Sequence, residues 1–308
     1  MMDRWPGVVD FDHQDSWPVP ILELLRTSRD ALSAYKASER DYFKRYFANH
    51  TATVIEHSNE FKPARDAIIG EVAALLMRER ILCFHGTRLL PDDIEDVRQQ
   101  GLRLPSPDFL ARRIGRAVER GYLDRVTGDL LLKNNQAAEN YRRHIHFGNR
   151  RADLRSGLIR LLVSWGGEAC YVGHEYRSDT GPALRRIGEP CLVVATVPVS
   201  LFPTTVVSNA ATAFVDSFNQ GSNDDLQAGF ESWVTQPIPA TWILDLIQFQ
   251  DPRFELLTEY SKLAPDEIKR FERPETEPTE SKLTAISDEN ILKAIDDLTP
   301  KEPDDRSS

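Results

Sequence analysis

Apolar residues recur at helical spacing from Ile21 to about Phe47, at Ile21, Leu24, Leu25, Leu32, Tyr35, Tyr42 and Phe43. A second such run follows Pro63, with Ile68, Ile69, Val72, Leu75 and Leu76 on one face. Together they predict an N-terminal helical layer over residues 1–79, entered through an irregular stretch, 1–18, marked by Pro6, Pro18 and Pro20. The pattern changes at Ile81-Leu82-Cys83-Phe84, a continuous apolar run that reads as a buried strand. A short helix follows, with Pro91 and the acids Asp92 and Asp93 at its start and Gly101 at its end. Residues 108–142 are helical in pattern and strongly charged (Arg112, Arg113, Arg116, Glu119, Arg120), which marks a helical insertion. Leu158 to Trp165 predicts another short amphipathic helix, stopped by Gly166-Gly167. Cys191 to Phe202 is a valine-rich strand region, and Phe230 to Phe249 reads as a strand, a proline-containing turn at 237–239 and a second strand. The expected fold class is α+β, with its core over residues 80–262.

Beyond about Pro265 the chain turns acidic and proline-containing, so 263–308 is expected to be mostly disordered, with a short helical stretch at Asp288 to Leu298. This tail carries much of the net charge of −10: Phe271 to Ser308 holds eleven acidic and five basic residues, leaving about −4 for the rest. Such a balance argues against a dedicated nucleic-acid binder, although a local basic patch remains compatible with it. The three cysteines, Cys83, Cys170 and Cys191, lie in or beside apolar runs and form no paired framework, as expected of buried reduced thiols. Met1 to Asp10 is polar, and no window approaches a membrane span. The expectation is a cytoplasmic protein without membrane association.

Three segments carry candidate chemistry. Phe84-His85-Gly86-Thr87 ends a buried strand, where a glycine lets a ligand approach the backbone and its N–H and C=O can grip a planar carboxamide. Tyr171 follows Gly166-Gly167; entering a strand there, it would offer a ring face to a flat cationic group, with Tyr176 and Phe147 as alternative stackers. Glu231 heads the strand before the Pro237–Pro239 turn, where a carboxylate in a pocket can face developing positive charge. Taken singly, each has a plainer explanation: a strand-capping histidine, a core tyrosine, a solvated edge acid.

In this order the three resemble the His-Tyr-Glu branch of the ADP-ribosyltransferase superfamily, the diphtheria-toxin-like and poly(ADP-ribose)-polymerase-like enzymes. Phe84-His85-Gly86-Thr87 is similar to the family's strand ending in His-Gly-Thr or His-Gly-Ser, and Asp92 to Leu102 to its following helix and Gly-Leu step. Gly167 to Val172 resembles its Gly-x-Gly-x-Tyr-Phe region, with Ala169 at the second glycine and Val172 in place of phenylalanine. Leu192 to Val199 and Glu231 to Phe249 have the form of its later strands. The resemblance covers roughly residues 80–250 and implies a split β-sheet core.

It also implies NAD⁺ as co-substrate and no metal. Gly86 and Thr87 would hold the carboxamide, His85 would orient a ribose, Tyr171 would stack on nicotinamide, and Glu231 would act at the anomeric carbon. The family's arginine-modifying members carry Glu or Gln two residues before this glutamate; Gly229 stands there, which argues against arginine as acceptor. The expected activity is a glycosyltransferase cleaving NAD⁺ at the nicotinamide–ribose bond, of toxin or defence type, with an unidentified protein or nucleic acid as acceptor. Alternatives are an NAD glycohydrolase, an RNA 2′-phosphotransferase-like enzyme, or a module that binds ADP-ribose or a protein without turnover. A protein partner on the N-terminal helices or the acidic tail is a further expectation.

Arg88, next to the proposed site, is the first candidate for the phosphates, and the cluster Arg142, Arg143, Arg150, Arg151, Arg155 and Arg160 the second, although pairing with local acids explains the cluster more simply. His144-x-His146 puts two imidazoles on one strand face, but no further ligand lies at metal-binding spacing. There is no P-loop, Rossmann glycine fingerprint or Gly-x-Ser-x-Gly elbow.

Overall fold

The structure, a computed structural model, describes residues 5, 7–48, 58–139, 143–155, 158–218 and 230–272. Arg142, Gly229 and the tail after residue 272 lie outside the described residues. The chain divides into two compact units, residues 1–26 with 68–274, and residues 27–67 with 275–308. The expected N-terminal helices are α1 (Val19–Thr27), α2 (Arg29–Ala48) and α3 (Lys62–Leu76). In the second unit, Asn59 Nδ2 donates to the Tyr35 carbonyl at 3.2 Å and to Glu39 Oε1 at 2.8 Å, and the Arg65 guanidinium lies 4.7 Å from the Tyr35 ring centre.

The larger unit continues through β1 (Arg80–Leu89), α4 (Pro91–Gln100), α5 (Pro107–Glu119), α6 (Arg125–Lys133), β2 (Ile145–Gly148), α7 (Ile159–Val163), α8 (Glu168–Tyr171) and α9 (Gly181–Arg186). Then come β3 (Glu189–Pro198), α10 (Thr204–Phe218), β4 (Glu231–Val234), β5 (Ile243–Gln248), α11 (Pro252–Thr258) and α12 (Tyr260–Glu272). This is an α+β protein: the described residues form twelve α-helices and one open, antiparallel, five-stranded sheet of order β4-β2-β1-β3-β5. Among the described residues, no helix is long and apolar enough to cross a membrane.

β1 and β3 pair along their whole length, from Arg80↔Pro198 to Leu89↔Glu189. Both are buried on two faces, which is why they read as continuous apolar runs rather than alternating ones. β4 and β5, consecutive in the chain, do not form a hairpin: β4 pairs with β2 at one edge and β5 with β3 at the other. Leu82 and Phe84 of β1 pack with Leu154, Leu158 and Leu162 from the α7 region and with Leu192, Val194, Ile247 and Phe254.

Within the charged stretch, the described helices α5 and α6 contribute to the core. Leu110, Ile114 and Ala117 of α5 and Leu131 of α6 form a second core with Trp165, Tyr171 and Leu184. Gly101 ends α4 with φ +78°, and a Cβ there would lie 1.9 Å from the Ile238 carbonyl oxygen; the predicted stop glycine is demanded by close approach as well as by conformation.

The described residues before α1 are irregular, as expected, but anchored: Val9 pairs in parallel with Ile81, Phe11 packs against Phe214 (4.8 Å between ring centres) and Phe230 (5.4 Å), and Asp10 and Asp12 bind Arg151 and Arg150. These contacts join partners far apart in the chain and leave no local periodicity to read. The acidic tail does not begin at Pro265, since α12 runs through it to Glu272; Tyr260, Leu263, Ala264 and Ile268 form a helical stripe against the core, and that burial outweighs the proline's missing N–H.

Candidate functional site

β1 and β2 share a single register pair, Phe84↔Gly148, and then diverge. A cleft opens where they part, bordered by His85, Gly86 and Thr87 from β1, by His144, Ile145 and His146 from β2 and its approach, and by Leu102, Arg103, Phe109 and Arg113. Gly166, Gly167, Glu168 and Ala169 close its other wall. A smaller cavity is lined by Glu231, Tyr171, Phe147, Leu158 and Arg160. His146, Leu161 and Glu168 border both, so the two spaces adjoin. Of the expected site residues, His85, Gly86 and Thr87 line the larger part of this composite cleft and Tyr171 and Glu231 the smaller part, within a single unit; none of the five lines both.

Glu231 is exposed and opens β4, where the ladder sets it opposite Gly148. The row Phe84–Gly148–Glu231 runs across three strands, and residues opposite one another in an antiparallel ladder share a face. A Cβ on Gly148 would come within 2.8 Å of Asp153 and Leu158 side chains, so glycine lets these two residues close over the strand beside the acid. His85, one position on from Phe84, leaves β1 on the face opposite the Phe84–Gly148–Glu231 row and reaches toward β2. Its Nδ1–H donates to the His146 carbonyl at 2.9 Å, and its ring meets Phe147 edge-on at 6.0 Å. Since a carbonyl only accepts, the Nδ1 proton is fixed and Nε2 is left as an acceptor.

Desolvation of the ring, only partly offset by that hydrogen bond, pulls the His85 pKa down to about 4. His85 is therefore neutral throughout the neutral range, and activity is expected to show no ionisation of its own there. The sign for stability is definite: between its ordinary 6.5 and about 4 the unfolded chain binds this proton and the folded chain does not, so its contribution falls as pH drops through that window. A His85→Gln variant should show a flatter decline of unfolding free energy over the same interval, measured by urea titration.

Tyr171 is not on a strand. Gly167 has φ +71°, and its carbonyl accepts from both Cys170 N (2.9 Å) and Tyr171 N (3.0 Å), which winds the segment into the one-turn helix α8. The ring is fully buried, with the Arg160 guanidinium 5.7 Å from its centre. Tyr176 is exposed and borders neither cavity.

Arg88 also borders neither cavity. It is buried, and its donors are committed to the carbonyls of Ile187 (3.1 Å), Leu162 (3.3 Å) and Gly188 (2.6 Å) and to the Tyr260 hydroxyl. The other arginines pair with acids: largely buried Arg150 and Arg151 with Asp12 and Asp10, and exposed Arg155 and Arg160 with Glu259 and buried Glu175. Arg113, in the cleft wall, is held by two hydrogen bonds to Asp93. Arg103 differs. It borders the large cleft, stands over the Phe109 ring at 5.9 Å and has no ion-pair partner among the described residues. Its sequence signal was only its place after the Gly101-Leu102 step, and nothing local separates it from its neighbouring arginines.

His144 and His146 border the large cleft with ring centres 5.5 Å apart, and each meets Trp233 edge-on or tilted. Among the described residues, no group of three histidine, cysteine or carboxylate side chains is placed to hold a metal ion. All three cysteines are buried free thiols, and burial raises the pKa of Cys170 and Cys191 to about 12, leaving them unsuited as nucleophiles.

Fold and cleft define an α+β protein with a composite cleft at the point where an open antiparallel sheet parts. Comparison of the chain with protein-family models, with curated proteins and with solved structures returns no match.

Proposed function

We propose that the protein cleaves NAD⁺ at the nicotinamide–ribose bond and transfers ADP-ribose, as an ADP-ribosyltransferase whose sheet is split where β1 and β2 diverge. The observation that carries this reading is that His85, Gly86 and Thr87 line one cavity and Tyr171 and Glu231, distant from them in the chain, line the one adjoining it. In this reading the cleft at Gly86 takes the carboxamide of nicotinamide, and His85 Nε2 accepts a hydrogen bond from a ribose hydroxyl.

In the reaction, the bond from the anomeric carbon to the nicotinamide nitrogen breaks with both electrons going to the ring. Nicotinamide leaves neutral and positive charge moves onto the sugar. A fixed carboxylate at Glu231 gains attraction as that charge develops, so it stabilises the transition state more than bound NAD⁺. Water as acceptor would make the protein a glycohydrolase.

NAD⁺ labelled in its adenylate part tests the proposal: incubation with the full chain should give free nicotinamide together with labelled acceptor or labelled ADP-ribose. Intact NAD⁺ after prolonged incubation would exclude turnover. Arg103 is the proposed pyrophosphate partner in place of Arg88. Arg103→Ala should weaken NAD⁺ binding about tenfold, on the order of the 1.5 kcal/mol of a charge-assisted hydrogen bond. Nicotinamide riboside, which has no phosphate, should bind the variant and the wild type equally in equilibrium dialysis.

A further inference from the structure

Displacement at a sugar carbon needs room for the incoming nucleophile on the side away from the departing group. The sheet order fixes that side. Gly86, at the proposed nicotinamide position, belongs to β1; Glu231 belongs to the outer strand β4, and β2 lies between them. Trp233, two residues after Glu231, shares its face of the sheet. The ladder sets Trp233 opposite His146, and the rings of His144, His146 and Trp233 stand together with centres between 5.5 and 6.3 Å apart. Each is half-buried, so the group offers ring surface beside the cleft that His144 and His146 border. His144 Nδ1 is buried and has no hydrogen-bond partner among the described residues. Arg143, next to it in the chain, is exposed and forms no ion pair among them. No role in the NAD⁺-cleaving step falls to these three rings.

Resting on the proposed function, we infer that the wall of His144, His146 and Trp233 is the acceptor subsite, and that the acceptor is an unpaired nucleobase. A base is flat and stacks on tryptophan and histidine rings. Its edge carries hydrogen-bonding groups of the kind that His144 Nδ1 lacks, and the phosphates of a strand suit Arg143. A hydroxyl or carboxylate side chain has no flat face and would leave the ring wall unused. The formal charge of −10 does not weigh against a base here, since Phe271 to Ser308 carries −6 of it. In the transfer, a base nitrogen that bears a hydrogen bonds to the anomeric carbon while the bond from that carbon to the nicotinamide nitrogen breaks. The electron pair of the broken bond leaves with nicotinamide, and the N–H proton passes to solvent. NAD⁺ and a base thus give the ADP-ribosylated base, nicotinamide and a proton, with no further reactant.

The experiment uses the full chain as wild type, Trp233→Ala and Trp233→Phe, with NAD⁺ labelled in its adenylate part. Four acceptor probes are offered: single-stranded oligonucleotides, the same sequences as duplexes, free nucleosides and a peptide mixture. The wild type is expected to label single strands, and nuclease digestion should find the label on a base rather than on a terminal phosphate. Duplexes should accept about tenfold less, because a paired base presents no free face. Labelling of free nucleosides as well supports the inference and shows that the strand phosphates are dispensable. Trp233→Ala should raise the KM for the single strand about tenfold, within the range of a lost base-stacking contact, with kcat little changed. Trp233→Phe keeps a ring face and should stay within about threefold of wild type. Label confined to peptides or terminal phosphates, or an unchanged KM in Trp233→Ala, overturns the inference while leaving the proposed function standing. NAD⁺ cleavage that labels no probe overturns it too. The wild-type labelling pattern decides the matter even where Trp233→Ala does not fold. A wild type that neither binds nor cleaves NAD⁺ sinks the proposed function itself, a result the other outcomes cannot be confused with.

Discussion

Glu231→Gln is expected to reduce NAD⁺ cleavage by about 10²–10³-fold, corresponding to about 3 kcal/mol of barrier, by analogy with removal of one preorganised electrostatic partner of a transition state. The amide preserves size and one acceptor oxygen but not charge, and only charge gains from an oxocarbenium-like sugar. The loss should therefore fall on kcat, with NAD⁺ affinity in equilibrium dialysis nearly unchanged. Glu231 is exposed at the start of a four-residue edge strand, and its ladder partner is a glycine, so the exchange removes no packing. Stability within about 0.5 kcal/mol of wild type is the matching control. A variant that binds NAD⁺ and turns it over at the wild-type rate would remove Glu231 from the mechanism.

The largest effect on stability is expected at Asp93. Its carboxylate is 6 % exposed and accepts from Arg113 Nε (3.0 Å) and Nη2 (2.7 Å), Trp165 Nε1 (3.2 Å) and Leu90 N (3.2 Å). It thereby ties the start of α4 to α5 and to the tryptophan behind the cleft. Asp93→Ala leaves the Arg113 charge buried without its partner and should cost about 3–5 kcal/mol. Replacing both residues with apolar ones of similar volume, Asp93→Leu with Arg113→Met, should recover most of that loss, because the penalty comes from the orphaned charge. Urea titration of the three proteins distinguishes this account from one in which the pair itself supplies the stability, for which the double variant would be as unstable as the single one.

The pH dependence has a definite sign. Burial alone would raise the Asp93 pKa, but Arg113 and the hydrogen bonds outweigh it and hold the carboxyl below its ordinary 3.8. Its stabilisation is thus complete above that value and is lost as pH falls through the lower folded one. The acid limb of unfolding should be shallower in Asp93→Ala.

Glycine and proline punctuation made several elements legible. Pro91 and Gly101 bracket α4, Gly166-Gly167 stops the segment after α7, and the valine run of β3 could not be read as anything but buried. The same signals misled where a single residue has two uses. The glycine pair before Tyr171 suggests a strand entry, yet Gly167 takes φ +71° and winds a helical turn. Asp93 reads as a solvated first-turn acid, and only the approach of α5 and Trp165 makes it a buried anchor. Arg88, adjacent to His85-Gly86-Thr87 in the chain, is turned inward onto carbonyls, whereas Arg103, fifteen residues on, borders the cleft.

By itself the sequence determined the α+β class and the positions of most strands and helices, because periodicity and backbone preference act over a few residues. Tertiary structure alone decided that β4 and β5 go to opposite edges of the sheet, that β2 leaves β1 after one pair to open a cleft, and that Glu168 borders both halves of it. Strand order and side-chain convergence depend on which distant surfaces exclude water together, and that information is spread over the whole chain rather than held in any local segment.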